Sequence, residues 1–99
     1  MENNCPCQRK KKRSAEEEKR LFNRLNRISG QLRGIYKMVE EDAYCTDILL
    51  QTAAAREALS SFSRLLLEEH IRTCVCQDLK AGKEEAAEEL VETLRRMMK

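Results

Sequence analysis

The segment that decides the fold is "YCTDILLQTAAAREALSSFSRLLLEEHIRTC", which runs from Tyr44 to Cys74. It begins beside one cysteine and ends with a histidine and a second cysteine four residues apart. Neither Gly nor Pro occurs between Gly34 and Gly82, and the segment is rich in strong helix formers. It therefore predicts a long helix that persists to about Leu79–Lys80, with Gly82 as its C-terminal stop.

The composition favours an all-α domain whose hydrophobic core is enlarged by association with further copies. The 99 residues include only three Gly, one Pro and four aromatic residues, and 36% of them are charged. Almost no window shows the period-2 alternation that is typical of half-buried strands. A domain of this size buries a modest fraction of its surface, so oligomerisation is an expected source of stability.

Two further helices are predicted on either side of the central one. Ser14 and Glu17 form a capping-box pattern, so the first helix is expected to begin there and to run to about Glu41. Its apolar residues form one stripe: Leu21, Leu25, Ile28, Leu32, Ile35 and Val39. The short hinge Glu41–Tyr44 follows. After Lys83 a third, shorter helix is predicted from the spacing of Ala86, Leu90, Val91, Leu94 and Met97.

The spacing of the soft ligands predicts a dimer. Cys45 and His70 are 25 residues apart, which along one helix is about 37 Å, too far for one metal ion. Yet the ligands at the two ends of the helix lie on one face, which consists of Cys45, Leu49, Thr52, Leu59, Ser63, His70 and Cys74. A second copy packed antiparallel on this face, crossing near Leu59, would set Cys45 of one chain beside His70 and Cys74 of the other. In the alternative interpretation, the histidine and the cysteines are packing residues.

The predicted site has two thiolates, one imidazole and no carboxylate. Such a donor set suits a soft or borderline ion, Cu(I) or Zn(II). Three ligands fit trigonal Cu(I), whereas structural Zn(II) usually takes a fourth ligand. Cys76 would point about 160° away from Cys74 on an α-helix, so it is not expected to be a ligand.

The first helix also predicts a surface for nucleic acid. One side of it, next to the apolar stripe, carries Arg13, Arg20, Arg24, Arg27 and Gln31. A basic stripe can neutralise phosphates along a DNA duplex. The alternative is a solvated helix face with no partner.

Residues 1–13, "MENNCPCQRKKKR", are predicted to be a flexible basic arm before the helical domain at 14–99. Its tract "RKKKR" has the composition of an electrostatic tail for DNA, although a solubilising role is also open. Three interpretations of Cys5 and Cys7 remain open: they capture copper, they cap the metal site, or they have no role in it. No export signal or membrane span is seen, so a cytosolic protein without membrane partners is expected, with cysteines that bind metal or react. No catalytic constellation is present, which argues against an enzyme.

Three motifs together resemble the copper-sensing CsoR/RcnR family of bacterial repressors. They are "RLNRISGQLRGI" at Arg24–Ile35, "AYCTDILLQ" at Ala43–Gln51 and "LLEEHIRTCV" at Leu66–Val75. The resemblance implies three-helix protomers that pair as an antiparallel four-helix-bundle homodimer and assemble further into a homotetramer. It implies operator DNA binding by the apo-protein and release on binding the inducer.

The resemblance also implies roles for particular residues. Cys45, His70 and Cys74 match the copper ligands, while Tyr44 and, less directly, Glu89 match residues around them. Arg24 matches a DNA-binding arginine, Arg64 is expected to join that surface, and a basic position of some relatives falls at Ser61. Relatives that sense nickel or cobalt add histidines, formaldehyde sensors carry a carboxylate at the position of Cys74, and persulfide sensors lack the histidine.

The sequence therefore predicts a Cu(I)-responsive transcriptional repressor involved in copper homeostasis. A second hypothesis keeps the repressor but makes it a thiol or persulfide sensor, in which sulfur species bridge Cys45 and Cys74. A third hypothesis is a copper-storage or transfer protein with no specific affinity for DNA.

Overall fold

The computed structural model describes residues 13–99, which are helical apart from short turns. The helices are α1 (Ala15–Glu40), α2 (Cys45–His70), α3 (Cys76–Lys80) and α4 (Glu85–Met97), and a π-helical turn, Ile71–Val75, joins α2 directly to α3. Because α2, the π turn and α3 follow one another without a break, residues 13–99 form three helical segments. This confirms the predicted all-α, three-helix protomer. The predicted arm lies outside the described residues, apart from Arg13.

The described residues form two compact units, Arg13–Leu65 and Leu66–Lys99, and the boundary falls within α2. In the first unit, α1 and the first part of α2 meet where Arg24 donates a hydrogen bond to Ser61. In the second, the π turn contacts both α3 and α4. No helix of the described residues is long and apolar enough to span a membrane.

The start of α1 follows the predicted capping box. Glu17 N–H donates to Ser14 Oγ at 3.1 Å, and Ser14 N–H donates to Glu17 Oε1 at 3.0 Å. These two bonds satisfy two donors that a helix N-terminus otherwise leaves unpaired. Three glutamates in the first turn, Glu16, Glu17 and Glu18, also interact favourably with the positive end of the helix dipole.

Only half of the predicted apolar stripe on α1 is covered within the chain. Leu21 and Ile28 are buried and Ile35 is half-buried. The other three residues of the stripe are exposed: Leu25 by 38%, Leu32 by 53% and Val39 by 59%. The stripe therefore has one side against the chain's own core and one apolar side left open.

Two turns end helices in the same way. After α1, Ala43 N–H bonds to Met38 C=O at 2.9 Å, and after α3, Lys83 N–H bonds to Asp78 C=O at 2.9 Å. Each is the outer bond of a Schellman motif, which needs a residue with positive φ in between. Gly82 fills that position after α3 with a φ of 85°, as predicted. After α1 the position is filled by Asp42, with a φ of 56°.

Opposite substitutions at these two positions are expected to have opposite effects on stability. Asp42→Gly should raise the free energy of unfolding by about 0.5 kcal/mol, because glycine has no Cβ to strain the left-handed conformation. Gly82→Ala should lower it by about 1 kcal/mol for the same reason. Urea unfolding of the reduced apo-protein, at one fixed protein concentration, measures both; shifts of the same sign would contradict this account.

Candidate metal and DNA site

The three predicted metal ligands sit at defined points of the central helical segment. Cys45 is the first residue of α2 and His70 is the last. Cys74 lies in the π turn that follows. Cys45 is exposed, His70 is half-buried and Cys74 is only 3% exposed. Within the described part of a single chain, no three His, Cys, Asp or Glu side chains are grouped to hold a metal ion.

The face of α2 that was predicted to pair with a second copy is open over its first part. Leu49 is 66% exposed and Leu59 is 46% exposed. Thr52, on the same face, is also exposed and donates its hydroxyl to the Ile48 carbonyl at 2.9 Å. These side chains make the face apolar and leave it uncovered within the protomer.

The π turn was not predicted from the sequence. Helix was expected to continue unchanged to Lys80, but Ile71–Val75 is wound as a π-helix. Thr73 Oγ1 lies 2.8 Å from the Glu69 carbonyl and 3.5 Å from Cys74 Sγ, so its hydroxyl competes for a carbonyl of the backbone ladder. Single π turns occur often at functional sites, and this one carries a candidate ligand. The sequence feature that could have indicated this turn is Thr73, the threonine just before Cys74.

The cysteines differ in chemical state. Among the three in the described residues, Cys45 and Cys76 are free thiols, while Cys74 is disulfide-bonded. The composition had favoured reduced cysteines, and Cys74 departs from that expectation. Because the thiolate is the form that ligates a metal, Cys74 must be reduced before it can act as a ligand. Cys76 is exposed where Cys74 is buried, which agrees with the prediction that the two point to different sides.

The residues predicted to surround the metal are at the surface of the protomer. Tyr44 is 73% exposed and precedes α2, where its carbonyl accepts from the Asp47 and Ile48 amides. Glu89 is exposed on α4, the helix that contacts the π turn. Within the unit Leu66–Lys99 no hydrogen bond joins Glu89 to His70.

The predicted basic surface divides into two groups. Arg20, Arg27 and Arg64 are exposed. Arg13, Arg24 and Gln31 are half-buried, and Gln31 Oε1 is buried without a hydrogen-bond partner. Arg24 and Gln31 continue the spacing of the buried Leu21 and Ile28, so they lie on the side of α1 that faces α2.

Two arginines have polar partners on α2. Arg24 Nη1 donates to Ser61 Oγ at 3.1 Å. Arg64 donates to Ser60 Oγ at 3.2 Å and pairs with Glu57 at 3.5 Å. Because the Arg64–Glu57 pair is exposed on both sides, it adds little stability and does not prevent Arg64 from binding another anion.

Comparison with known proteins identifies the family. The model of the metal-sensitive transcriptional repressors matches residues 17–96, most of the chain. The protein belongs to the metal-sensitive transcriptional repressor family. It is 42% identical to the copper-sensing transcriptional repressor CsoR of Bacillus subtilis (strain 168), over 88% of this chain and 87% of that protein. It is 48% identical to the copper-sensing repressor RicR of Mycobacterium tuberculosis over a shorter stretch, 60% of this chain and 62% of that protein.

Two solved structures share the fold. The copper-sensing repressor CsoR with Cu(I) from Geobacillus thermodenitrificans NG80-2 superposes with a TM-score of 0.84, at 39% identity over 90% of this chain and 94% of that one. The nickel-responsive transcriptional regulator InrS superposes with a TM-score of 0.70, at 38% identity over 88% of this chain and 96% of that one. The two structures are thus named for different metals, copper and nickel.

Proposed function

We propose that this protein is a Cu(I)-responsive transcriptional repressor, which binds operator DNA without metal and releases it when Cu(I) binds. The observation that carries the proposal is the donor set of two cysteines and one histidine, in a chain similar to copper-sensing repressors over most of its length. A repressor of this kind acts in the cytoplasm, where it meets both the chromosome and intracellular copper.

Copper fits the donors better than nickel does. Thiolates are soft ligands and select Cu(I), and a trigonal set of two thiolates and one imidazole satisfies that ion. The chain contains one histidine, His70, whereas relatives that sense nickel or cobalt are expected to add more. Cys45, His70 and the reduced Cys74 would hold the ion, which supplies the charge and the bonds that distinguish the induced state.

The metal site is proposed to be shared between two copies. Cys45 and His70 are the first and last residues of a 26-residue helix, which is about 39 Å long. An antiparallel partner on the open face that includes Leu49 and Leu59 brings Cys45 of one protomer to His70 and Cys74 of the other. The two-fold axis then creates two equivalent sites in each homodimer. The exposed apolar side of α1, with Leu25, Leu32 and Val39, supports further association to a homotetramer.

The DNA surface is proposed to consist of arginines on α1 together with Arg64. Arg20 and Arg27 are exposed, and neither forms an ion pair within the described residues. They are therefore available to phosphates, and the affinity should fall steeply with salt as counterions are released. Because DNA and Cu(I) favour different states, each must weaken the binding of the other by the same factor.

The proposal is tested by anaerobic fluorescence anisotropy on the DNA upstream of the protein's own operon, with fully reduced protein. One Cu(I) per protomer is expected to weaken DNA binding by about 5- to 150-fold, the usual range of such coupling. Ni(II) at the same ratio should leave the affinity unchanged. Tight binding that ignores Cu(I) but responds to a persulfide donor would favour the thiol sensor instead. If the protein binds no DNA specifically, the hypothesis of a copper-storage or transfer protein remains.

A further inference from the structure

We infer that Ser61 holds Arg24 in position and that the pocket beside them binds one phosphate group of the DNA backbone. The inference deepens the proposed function and rests on it, because it names the atoms of this chain that would receive a phosphate. Its basis is a hydrogen bond between α1 and α2 and the cavity next to that bond.

The pocket lies within the unit Arg13–Leu65. It has a volume of about 140 Å³ and is lined by Arg24, Arg27, Ile28, Ala58 and Ser61. Ile28 is 5% exposed, so it forms an apolar floor, and the arginines and the serine supply the polar rim. This volume is large enough for a single tetrahedral oxyanion.

The charge of the lining favours an anion. Two of the five lining residues are arginines and none is a carboxylate. Within residues 13–99 neither Arg24 nor Arg27 forms an ion pair, whereas Arg64 is paired with Glu57. The positive charge of the pocket is therefore not neutralised by the described part of the chain, and a phosphate would neutralise it.

Arg24 and Ser61 also retain unused hydrogen-bond donors, which a phosphate oxygen can accept from. Arg24 uses Nη1 to donate to Ser61 Oγ at 3.1 Å, and a guanidinium has five N–H donors in a planar fork. The serine oxygen accepts that bond and retains its own O–H to donate. A phosphate oxygen in the pocket can thus accept from both residues. Because Ser61 already fixes the long Arg24 side chain, less rotamer entropy is lost when the anion binds.

The competing explanation is that the bond only fastens α1 to α2. In that case Ser61 would affect stability but not DNA binding. The matched control is Ser29, an exposed serine that accepts a hydrogen bond from Arg33 at 2.9 Å on the same helix as Arg24. It provides the same chemistry, a serine hydroxyl beside an arginine, away from the pocket.

The experiment measures operator binding of the reduced apo-protein across a range of salt concentrations. Ser61→Ala is expected to weaken binding about 5-fold at every salt concentration, the effect of one hydrogen bond, without changing the slope against salt. Ser61→Thr, which keeps the hydroxyl, should restore the wild-type affinity, and Ser29→Ala should match wild type. Arg24→Ala should lower both the affinity and the slope, the slope by about 0.9. Ser61→Ala with wild-type affinity would overturn the inference.

A second measurement on the wild-type protein does not depend on any variant folding. Side-chain N–H signals of Arg24 and Arg27 are followed by NMR while a short operator duplex, and separately inorganic phosphate, is added. Shifts of both signals with the duplex support the inference; shifts with inorganic phosphate alone would overturn it, since the pocket would then bind a free anion. If wild type binds no operator DNA at all, the proposed function itself fails. Wild-type binding that ignores Ser61 defeats only this inference.

Discussion

Cys45→Ala is expected to abolish the Cu(I)-dependent release of DNA while leaving the affinity of the apo-protein for DNA unchanged. Cys45 is exposed at the first residue of α2 and contributes nothing to the buried core, so its removal should affect the metal site alone. The expected loss is the whole coupling, about 5- to 150-fold in DNA affinity. Anaerobic anisotropy with and without Cu(I) measures it. The control is Cys76→Ala, which removes another exposed free thiol and should keep the full response.

The same variant tests whether the site is shared. Chains carrying Cys45→Ala and chains carrying Cys74→Ala each lack one ligand and should not form a complete site alone. In a mixed dimer, one of the two sites combines the intact Cys45 of one chain with the intact Cys74 of the other. Mixing the two variants by co-expression should therefore recover part of the Cu(I) binding. No recovery, with mixed dimers demonstrated by mass spectrometry, would rule out the shared site.

His70→Ala is expected to separate Cu(I) binding from DNA release. Two thiolates remain in this variant, so Cu(I) should still bind, although less tightly. A ligating imidazole normally donates its second N–H to another group, and that bond is the candidate link to the rest of the protein. Tyr44 and Glu89 are both exposed in the protomer, so they are available to receive it in the assembled, metal-bound state. The DNA affinities with and without Cu(I) should become nearly equal.

The measurement requires both the Cu(I)-binding and the DNA-binding equilibrium of each variant. Cu(I) affinity is obtained by competition with a chelator, and DNA affinity by anisotropy at saturating Cu(I). Glu89→Gln is the matched variant, because it keeps the shape of the side chain and removes its charge. It should reduce the coupling between Cu(I) and DNA while changing the Cu(I) affinity less than His70→Ala does. Full Cu(I)-dependent release by His70→Ala would show that the histidine is not the link.

Much of the fold follows from interactions that span five residues or fewer. The Ser14–Glu17 capping box and the stop at Gly82 were predicted, and the structure confirms both. The opposite directions of Cys74 and Cys76 were predicted in the same way. Such features depend on the residue itself and on its neighbours one turn away, which is why sequence patterns identify them.

The π turn shows where that local reasoning stops. Helix propensity alone favours unbroken α-helix through Ile71–Val75, and the structure inserts a wider turn there. Thr73 bonds to the Glu69 carbonyl, and Cys74 and Val75 are buried within the unit that includes α4. Packing of the turn therefore contributes to its winding, and propensities do not include packing.

The sequence by itself determined the three helical segments, the ends set by the capping box and by Gly82, and the chemical types of the ligands. Only the tertiary structure decided how the first helix divides between core and surface. The basic residues on α1 share one side, yet Arg24 turns toward Ser61, 37 residues away, while Arg27 stays exposed. The physical reason is that periodicity fixes which residues share a face, whereas contacts between helices distant in sequence fix which part of that face is buried.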